Sequence, residues 1–209
     1  MAHVASGVAA IVLAAGSSRR FAGGSKLLAE VAGRPLIAWA VSAFAASRAA
    51  EVIVVTGPEP QRVEDAVSGF AVRFVHNPDH LSGMGGSVAI GIKALAPDYS
   101  RALISPGDMP GITADLVNRL IESFEANGSD RIIRPKLPDG RLGHPVLWPR
   151  RHFAKLAQLR GPTGGKQLMG ELVNEIDYLP WPDSAAALDI DTLEDLDRYR
   201  LAKRDLHDS

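Results

Sequence analysis

Gly16-Ser17-Ser18, followed by Arg20 and Lys26, combines the residue types that hold phosphate. Small residues in a turn leave backbone N–H groups exposed to a polyphosphate. Arginine grips two phosphate oxygens, and lysine supplies a mobile point charge. Gly23-Gly24 gives the loop room to fold over a ligand. The run lacks the Gly-Lys-Ser/Thr triplet of a Walker loop and the Gly-x-Gly-x-x-Gly of a dinucleotide loop. Asp108, in Ser105-Pro106-Gly107-Asp108-Met109-Pro110, is a hard oxygen donor suited to Mg2+. Asp189 and Asp191 offer two more, and alternation would aim them the same way along an extended segment. Taken singly, the loop reads more readily as a surface connection than as a phosphate site, while Asp108 reads equally as a turn residue and Asp191 as a helix cap. Their joint occurrence favours a metal–nucleotide site.

The elements that would position these groups follow from hydrophobic patterning. Val8 to Leu13, Glu51 to Thr56, Val72 to Val75 and Ala102 to Ser105 read as strands. Between and after them Pro35 to Ala46, Pro60 to Gly69, Ser87 to Leu95 and Thr113 to Asn127 read as helices, with Thr113 as an N-cap. This alternation predicts an α/β fold: three layers, with a mostly parallel, Rossmann-like sheet and helices on both faces. The phosphate loop then follows the first strand, and Asp108 the fourth, at the sheet edge where ligands bind. The second half is less regular. Short strands are expected at Arg131 to Pro135 and Pro145 to Trp148, and helices at Arg150 to Leu159, Gly165 to Val173 and Thr192 to Arg204. Thr192 and Asp195 form a variant capping box.

With 209 residues and no repeat or linker, residues 1–209 are expected to form one domain. A net charge of −1 gives no broad footprint for nucleic acid. No cysteine is present, which removes disulfides, thiolate metal sites and cysteine nucleophiles. Met1 to Gly7 lack the charged stretch of a signal peptide, and Val8 to Gly16 is apolar for only one strand length. The expectation is a cytoplasmic enzyme that does not engage membranes.

Leu13-Ala14-Ala15-Gly16-Ser17-Ser18-Arg19-Arg20, with Lys26 beyond, resembles the Leu-Ala-Ala-Gly-x-Ser-x-Arg…Lys signature of MobA-like nucleotidyltransferases. Gly107-Asp108-Met109-Pro110 is similar to that family's metal motif. Asp189-Ile190-Asp191-Thr192-Leu193-Glu194-Asp195-Leu196 is similar to its C-terminal signature. Gly143-His144-Pro145 resembles the acceptor-side motif of the molybdenum cofactor cytidylyltransferases within the group. The likeness runs along nearly the whole chain in the same order. It implies a nucleotide-diphospho-sugar transferase-like fold with an irregular, acceptor-binding C-terminal half.

Carried over residue by residue, the resemblance makes Leu13, Ala14, Ala15, Gly16, Ser17, Ser18, Arg20, Lys26, Gly83 and Ser87 nucleotide-binding. Arg20, Lys26 and Asp108 are catalytic. Asp108 is the principal Mg2+ ligand, completed by Asp189 or Asp191, with Asp191 favoured. His144 and Lys166 face the acceptor. The implied reaction moves CMP from CTP to the molybdopterin form of the molybdenum cofactor and releases pyrophosphate. A molybdoenzyme or its maturation chaperone would take the product. The chain also departs from the family. Phe21-Ala22 replaces Met-Gly, and one extra residue precedes Lys26. Gly85-Gly86 replaces two serines, while Pro162 and Lys166 replace an acid and an arginine. Three alternatives stay open: a sugar- or polyol-phosphate cytidylyltransferase, which would use a similar first loop; an NAD(P)H-dependent oxidoreductase, for which the Gly85-Gly86 departure leaves room; and a non-catalytic cofactor chaperone.

Overall fold

The computed structural model describes residues 7–16, 21, 24–128 and 130–205. The strands are β1 (Val8–Ala14), β2 (Glu30–Val31), β3 (Arg34–Pro35), β4 (Glu51–Thr56), β5 (Arg73–His76), β6 (Arg101–Pro106), β7 (Ile132–Lys136), β8 (Val146–Pro149) and β9 (Ile176–Pro180). The helices are α1 (Leu36–Ala45), α2 (Pro60–Ala66), α3 (Met84–Lys93), α4 (Ala114–Asn127), α5 (Phe153–Leu156), α6 (Lys166–Glu171) and α7 (Leu193–Asp205).

Seven strands form one sheet in the order β5-β4-β1-β6-β8-β7-β9, and β2 pairs with β3 in a small hairpin. The first four of that order run parallel, with Ile11 opposite Ile53 on one side and Ile104 on the other. β8 then runs antiparallel to both of its neighbours, and β9 runs parallel to β7. The expected mostly parallel sheet is present, extended by three strands of which only β8 runs against the rest.

The period of two along β1 divides the core. Ala10 and Val12 point to the face covered by Ile37, Val41 and Phe44 of α1, Val63 of α2, and Leu116 and Leu120 of α4. Ile11 and Leu13 point to the opposite face, covered by Val88 and Ile92 of α3, Leu156 of α5 and Leu168 of α6. Both faces of the central strands are buried, which is why they read as continuous apolar runs. The result is the expected three layers.

Several boundaries differ from the sequence expectation for identifiable reasons. Pro35 closes β3 before α1 begins, because Leu36 N–H bonds the Ala29 carbonyl at 2.9 Å and ties off the hairpin. The expected helix over 150–159 shortens to a 3-10 turn and the single turn of α5. β9 has no sequence signature. It is an edge strand with no buried residue, ordered by its pairing to β7 and by Arg131–Asp177 at 2.7 Å. Both caps are as expected. Leu116 N–H bonds Thr113 Oγ1 at 3.2 Å, and Thr192 and Asp195 bond each other reciprocally. Among the described residues no helix is long and apolar enough to cross a membrane.

Phe44 is fully buried between α1 and the sheet. Phe44→Ala should cost about 3–5 kcal/mol. Urea unfolding should show a lower midpoint with an unchanged slope. A midpoint equal to that of the parent protein would mean that this layer is not packed as described.

Candidate active site

Strand order reverses between β1 and β6, so the chain leaves their C-terminal ends in opposite directions and opens a crevice. Gly107 N–H bonds the Leu13 carbonyl at 2.9 Å and clasps the two strand ends together. A Cβ on Gly107 would stand 2.5 Å from Ile37 Cδ1 and 3.2 Å from the Leu13 carbonyl oxygen, so a side chain here would have to displace the end of Ile37. The next residue, Asp108, is thereby held at the crevice mouth.

Two other segments converge on Asp108. Ile190 is fully buried in a small cluster with Phe21, Val31, Leu36, Leu196 and Tyr199, and its N–H bonds the Asp108 carbonyl at 3.2 Å. With Ile190 turned inward, Asp189 and Asp191 face the cleft on either side of it. Lys26 begins a 3-10 turn, Lys26–Leu28, anchored by buried Leu27. Its Nζ lies 2.5 Å from Asp108 Oδ2 and 2.8 Å from Asp191 Oδ1.

Burial alone would lower the Lys26 pKa. The charges and hydrogen bonds of Asp108 and Asp191 outweigh it and hold the ammonium above the ordinary lysine value. Partial desolvation pushes the Asp189 carboxyl up, as do the charges of Asp191 and Asp108. Among the described residues no three His, Asp or Glu side chains already converge as a metal cluster. Mg2+ does not need one, because it is commonly bound through one or two carboxylates plus phosphates and water. Asp108 Oδ1 is buried and has no hydrogen-bond partner among the described residues. An orphaned carboxylate oxygen of this kind fits a hard cation.

The opposite wall comes from the start of α3. Gly85 N–H bonds the Gly161 carbonyl at 2.9 Å, and a Cβ on Gly85 would meet Arg160 O at 2.6 Å. The glycine that replaces a family serine is therefore required by the close approach of the 160–162 loop. That amide is spent within the protein rather than offered to a phosphate. Ser87 is buried, and its Oγ accepts from Asn77 Nδ2 at 3.0 Å.

These walls enclose a cleft of about 670 Å³. Of the residues expected at the site, Leu13, Ala15, Gly16, Lys26, Gly83, Ser87, Asp108, His144, Asp189 and Asp191 line it. Ala14 is buried in β1 and is not part of the lining. Ser17, Ser18 and Arg20 lie outside the described residues.

The family model for the MobA-like NTP transferase domain matches residues 10–176. The chain belongs to this family. A protein named nicotine blue oxidoreductase, from Paenarthrobacter nicotinovorans, is 29% identical over 93% of this chain and 96% of its own length. A bifunctional protein GlmU from Cutibacterium acnes is 34% identical over 54% of this chain, which spans only 28% of that protein. Rv0371c from Mycobacterium tuberculosis H37Rv superposes with a TM-score of 0.82 over 94% of this chain and 98% of its own, at 23% identity. That last likeness speaks for the fold alone.

Within this MobA-like frame the wall of the cleft opposite Lys26 departs from the sequence expectation. Lys166 is exposed on α6 and does not line the cleft. The cation that does line this side is Arg134, on β7. Its signal was present in the sequence as a lone charge within Ile132-Ile133-Arg134-Pro135. His144 lines the same wall. Burial, and then the Arg134 charge, pull its pKa down to about 4, against a hydrogen bond to the Ile104 backbone. The imidazole is therefore neutral near pH 7, and its Nδ1 has no hydrogen-bond partner among the described residues.

The unfolded chain takes up a proton at His144 near pH 6.5, which the folded protein refuses until about pH 4. Stability contributed by His144 is thus present above pH 6.5 and lost as pH falls across that interval, by roughly 3 kcal/mol. His144→Asn removes this titration. Urea unfolding across the same pH range should show a shallower loss for the variant than for the parent. Parallel pH profiles would show that His144 is not held neutral.

Proposed function

We propose that this chain transfers a nucleoside monophosphate, CMP from CTP, to a phosphorylated acceptor, the molybdopterin form of the molybdenum cofactor. The observation that carries the transfer chemistry is the Lys26 bridge between Asp108 and Asp191 at the point where strand order reverses. An oxygen of the acceptor phosphate attacks the α-phosphorus, the bond from that phosphorus to the β-phosphate bridging oxygen breaks, and pyrophosphate leaves. The attacking phosphate is ionised near neutral pH, so no strong general base is needed.

Catalysis then rests on position and charge. Lys26 stays protonated and can move from its carboxylates onto the leaving phosphates. Asp108, through its unpartnered Oδ1, and Asp191 would hold Mg2+, with Asp189 beside them. When bound, that ion neutralises charge on the phosphates. By resemblance, Gly16, Ser17, Ser18 and Arg20 contact the triphosphate, while Gly83 and Ser87 contact the nucleotide. The choice of CTP rests on Leu13-Ala14-Ala15-Gly16, and the choice of acceptor on Gly143-His144-Pro145.

Incubation with Mg2+, metal-loaded cofactor and each NTP in turn should release pyrophosphate, fastest with CTP. Lys26→Ala and Asp108→Asn should each lower kcat by about 10²–10³-fold. Silence with all four nucleotides would overturn the proposal.

A second reading has its own support. A relative matched over 93% of this chain carries an oxidoreductase name. Gly85 and Gly86 also remove side-chain donors from the expected base pocket. Under this reading the protein oxidises NADPH in the presence of an electron-accepting aromatic heterocycle, and EDTA has no effect. NADPH consumption that survives Asp108→Asn would favour it over transfer.

A further inference from the structure

Arg134 is unusual among the buried cations of this protein. Arg101, at the start of β6, is buried and ion-paired to Asp130 at 2.8 Å. Lys26 is ion-paired to two carboxylates. Arg134 is half-buried, yet no carboxylate lies within ion-pair distance of it among the described residues. Its Nε donates to the Gly143 carbonyl at 3.1 Å, Nη2 to the Leu142 carbonyl at 3.4 Å, and Nη1 contacts Met169 Sδ at 3.8 Å. A guanidinium has five N–H donors, so one hydrogen on each terminal nitrogen remains uncommitted. Burial holds the group below its ordinary pKa. Desolvating a cation without a counter-charge is costly, and a fold retains it where a ligand supplies that charge.

Its position specifies which ligand. β7 is separated from β1 by β8 and β6. At the usual strand spacing this is roughly 14 Å between the two backbones. Arg134 and Lys26 nevertheless line one cleft. The two carbonyls that hold the guanidinium belong to the segment leading into β8, beside His144. His144 is neutral near pH 7 and adds no competing charge.

We infer that Arg134 is the anchor for an oxyanion, phosphate or carboxylate, on the molecule that occupies the β7–β8 side of the cleft, opposite the nucleotide. Within the transfer reaction proposed above, on which the word rests, this molecule is the acceptor. Carbonyls fix the guanidinium fork from behind, and its two remaining donors meet a two-oxygen anion. The site takes over the role that the sequence had assigned to Lys166.

The test is read without nucleotide, so it succeeds or fails independently of pyrophosphate release. Inorganic phosphate and malonate are titrated separately into the parent protein, Arg134→Gln and Lys26→Gln, followed by melting temperature and calorimetry. At least one anion should bind the parent, and which one distinguishes phosphate from carboxylate. Arg134→Gln should weaken that binding about tenfold or more, while Lys26→Gln should retain it. Equal affinity in the parent and Arg134→Gln, or loss in Lys26→Gln alone, overturns the assignment. Chemical modification of the parent by phenylglyoxal, mapped by peptide mass spectrometry, needs no variant. Arg134 should react in the free protein and be protected by the bound anion. An Arg134 that does not react, or reacts equally with and without the anion, also overturns it.

Discussion

Lys26 Nζ joins parts of the chain that share no local order: a 3-10 turn after the first loop, the turn beyond β6, and the segment that leads into α7. The Lys26–Asp191 hydrogen bond alone spans 165 positions of sequence. Ion pairs at an open surface contribute little, because water screens them and long side chains lose freedom. These are partly buried, with side-chain exposures of 15% for Lys26 and 16% for Asp108. In that setting removing one partner would leave an uncompensated charge, so the arrangement depends on all three groups arriving together.

What brings them together is apolar packing and backbone clasps rather than the charges themselves. Ile190 and Leu27 are buried, and they seat the segments carrying Asp191 and Lys26. Phe21, Leu196 and Tyr199 pack in one cluster with Ile190, so α7 docks against Phe21 and the β2–β3 side of the molecule. Tyr199 OH donates to the Pro110 carbonyl at 3.1 Å, tying α7 to the turn that contains Asp108. Gly107 N–H to Leu13 O fixes that turn against β1. The ammonium bridge is the visible end of a packing solution that begins with a few buried side chains.

This explains which parts were readable in advance. The parallel strands are buried on both faces and announce themselves as apolar runs, so β1, β4, β5, β6, the helices α1 to α4 and the sheet edge carrying Asp108 were legible, while the two-residue strands of the β2–β3 hairpin were not. Asp189 and Asp191 were legible through their spacing around an apolar residue. β9 was not, because an edge strand with exposed faces takes its conformation from β7 rather than from its own pattern. Arg134 was read as part of a strand, and nothing in a strand pattern says that its side chain finds carbonyls instead of an acid. Lys166 had the right charge at a similar position. The short α6, however, buries Leu168 and leaves Lys166 in solvent. Gly85 read as a lost donor, whereas its meaning is steric and depends on the 160–162 loop, distant in sequence.

The charge balance of the cleft gives the two halves different tasks. On the β1–β6 side, Asp108, Asp189 and Asp191 outnumber Lys26 among the described residues, and the Asp189 carboxyl is pushed up first by burial and then by the charges of Asp191 and Asp108. A surface with excess negative charge repels a triphosphate unless further positive charge enters with it, and Asp108 Oδ1 is available to receive a cation. On the β7–β8 side the balance is reversed, with Arg134 uncompensated and His144 neutral. In the proposed reaction, a nucleotide that carries its own cation belongs to the first side, and a bare anion to the second. The parallel strands supply the first arrangement. The antiparallel extension, β8 and β7, supplies the second, so a change of acceptor can be accommodated there without disturbing the lysine bridge.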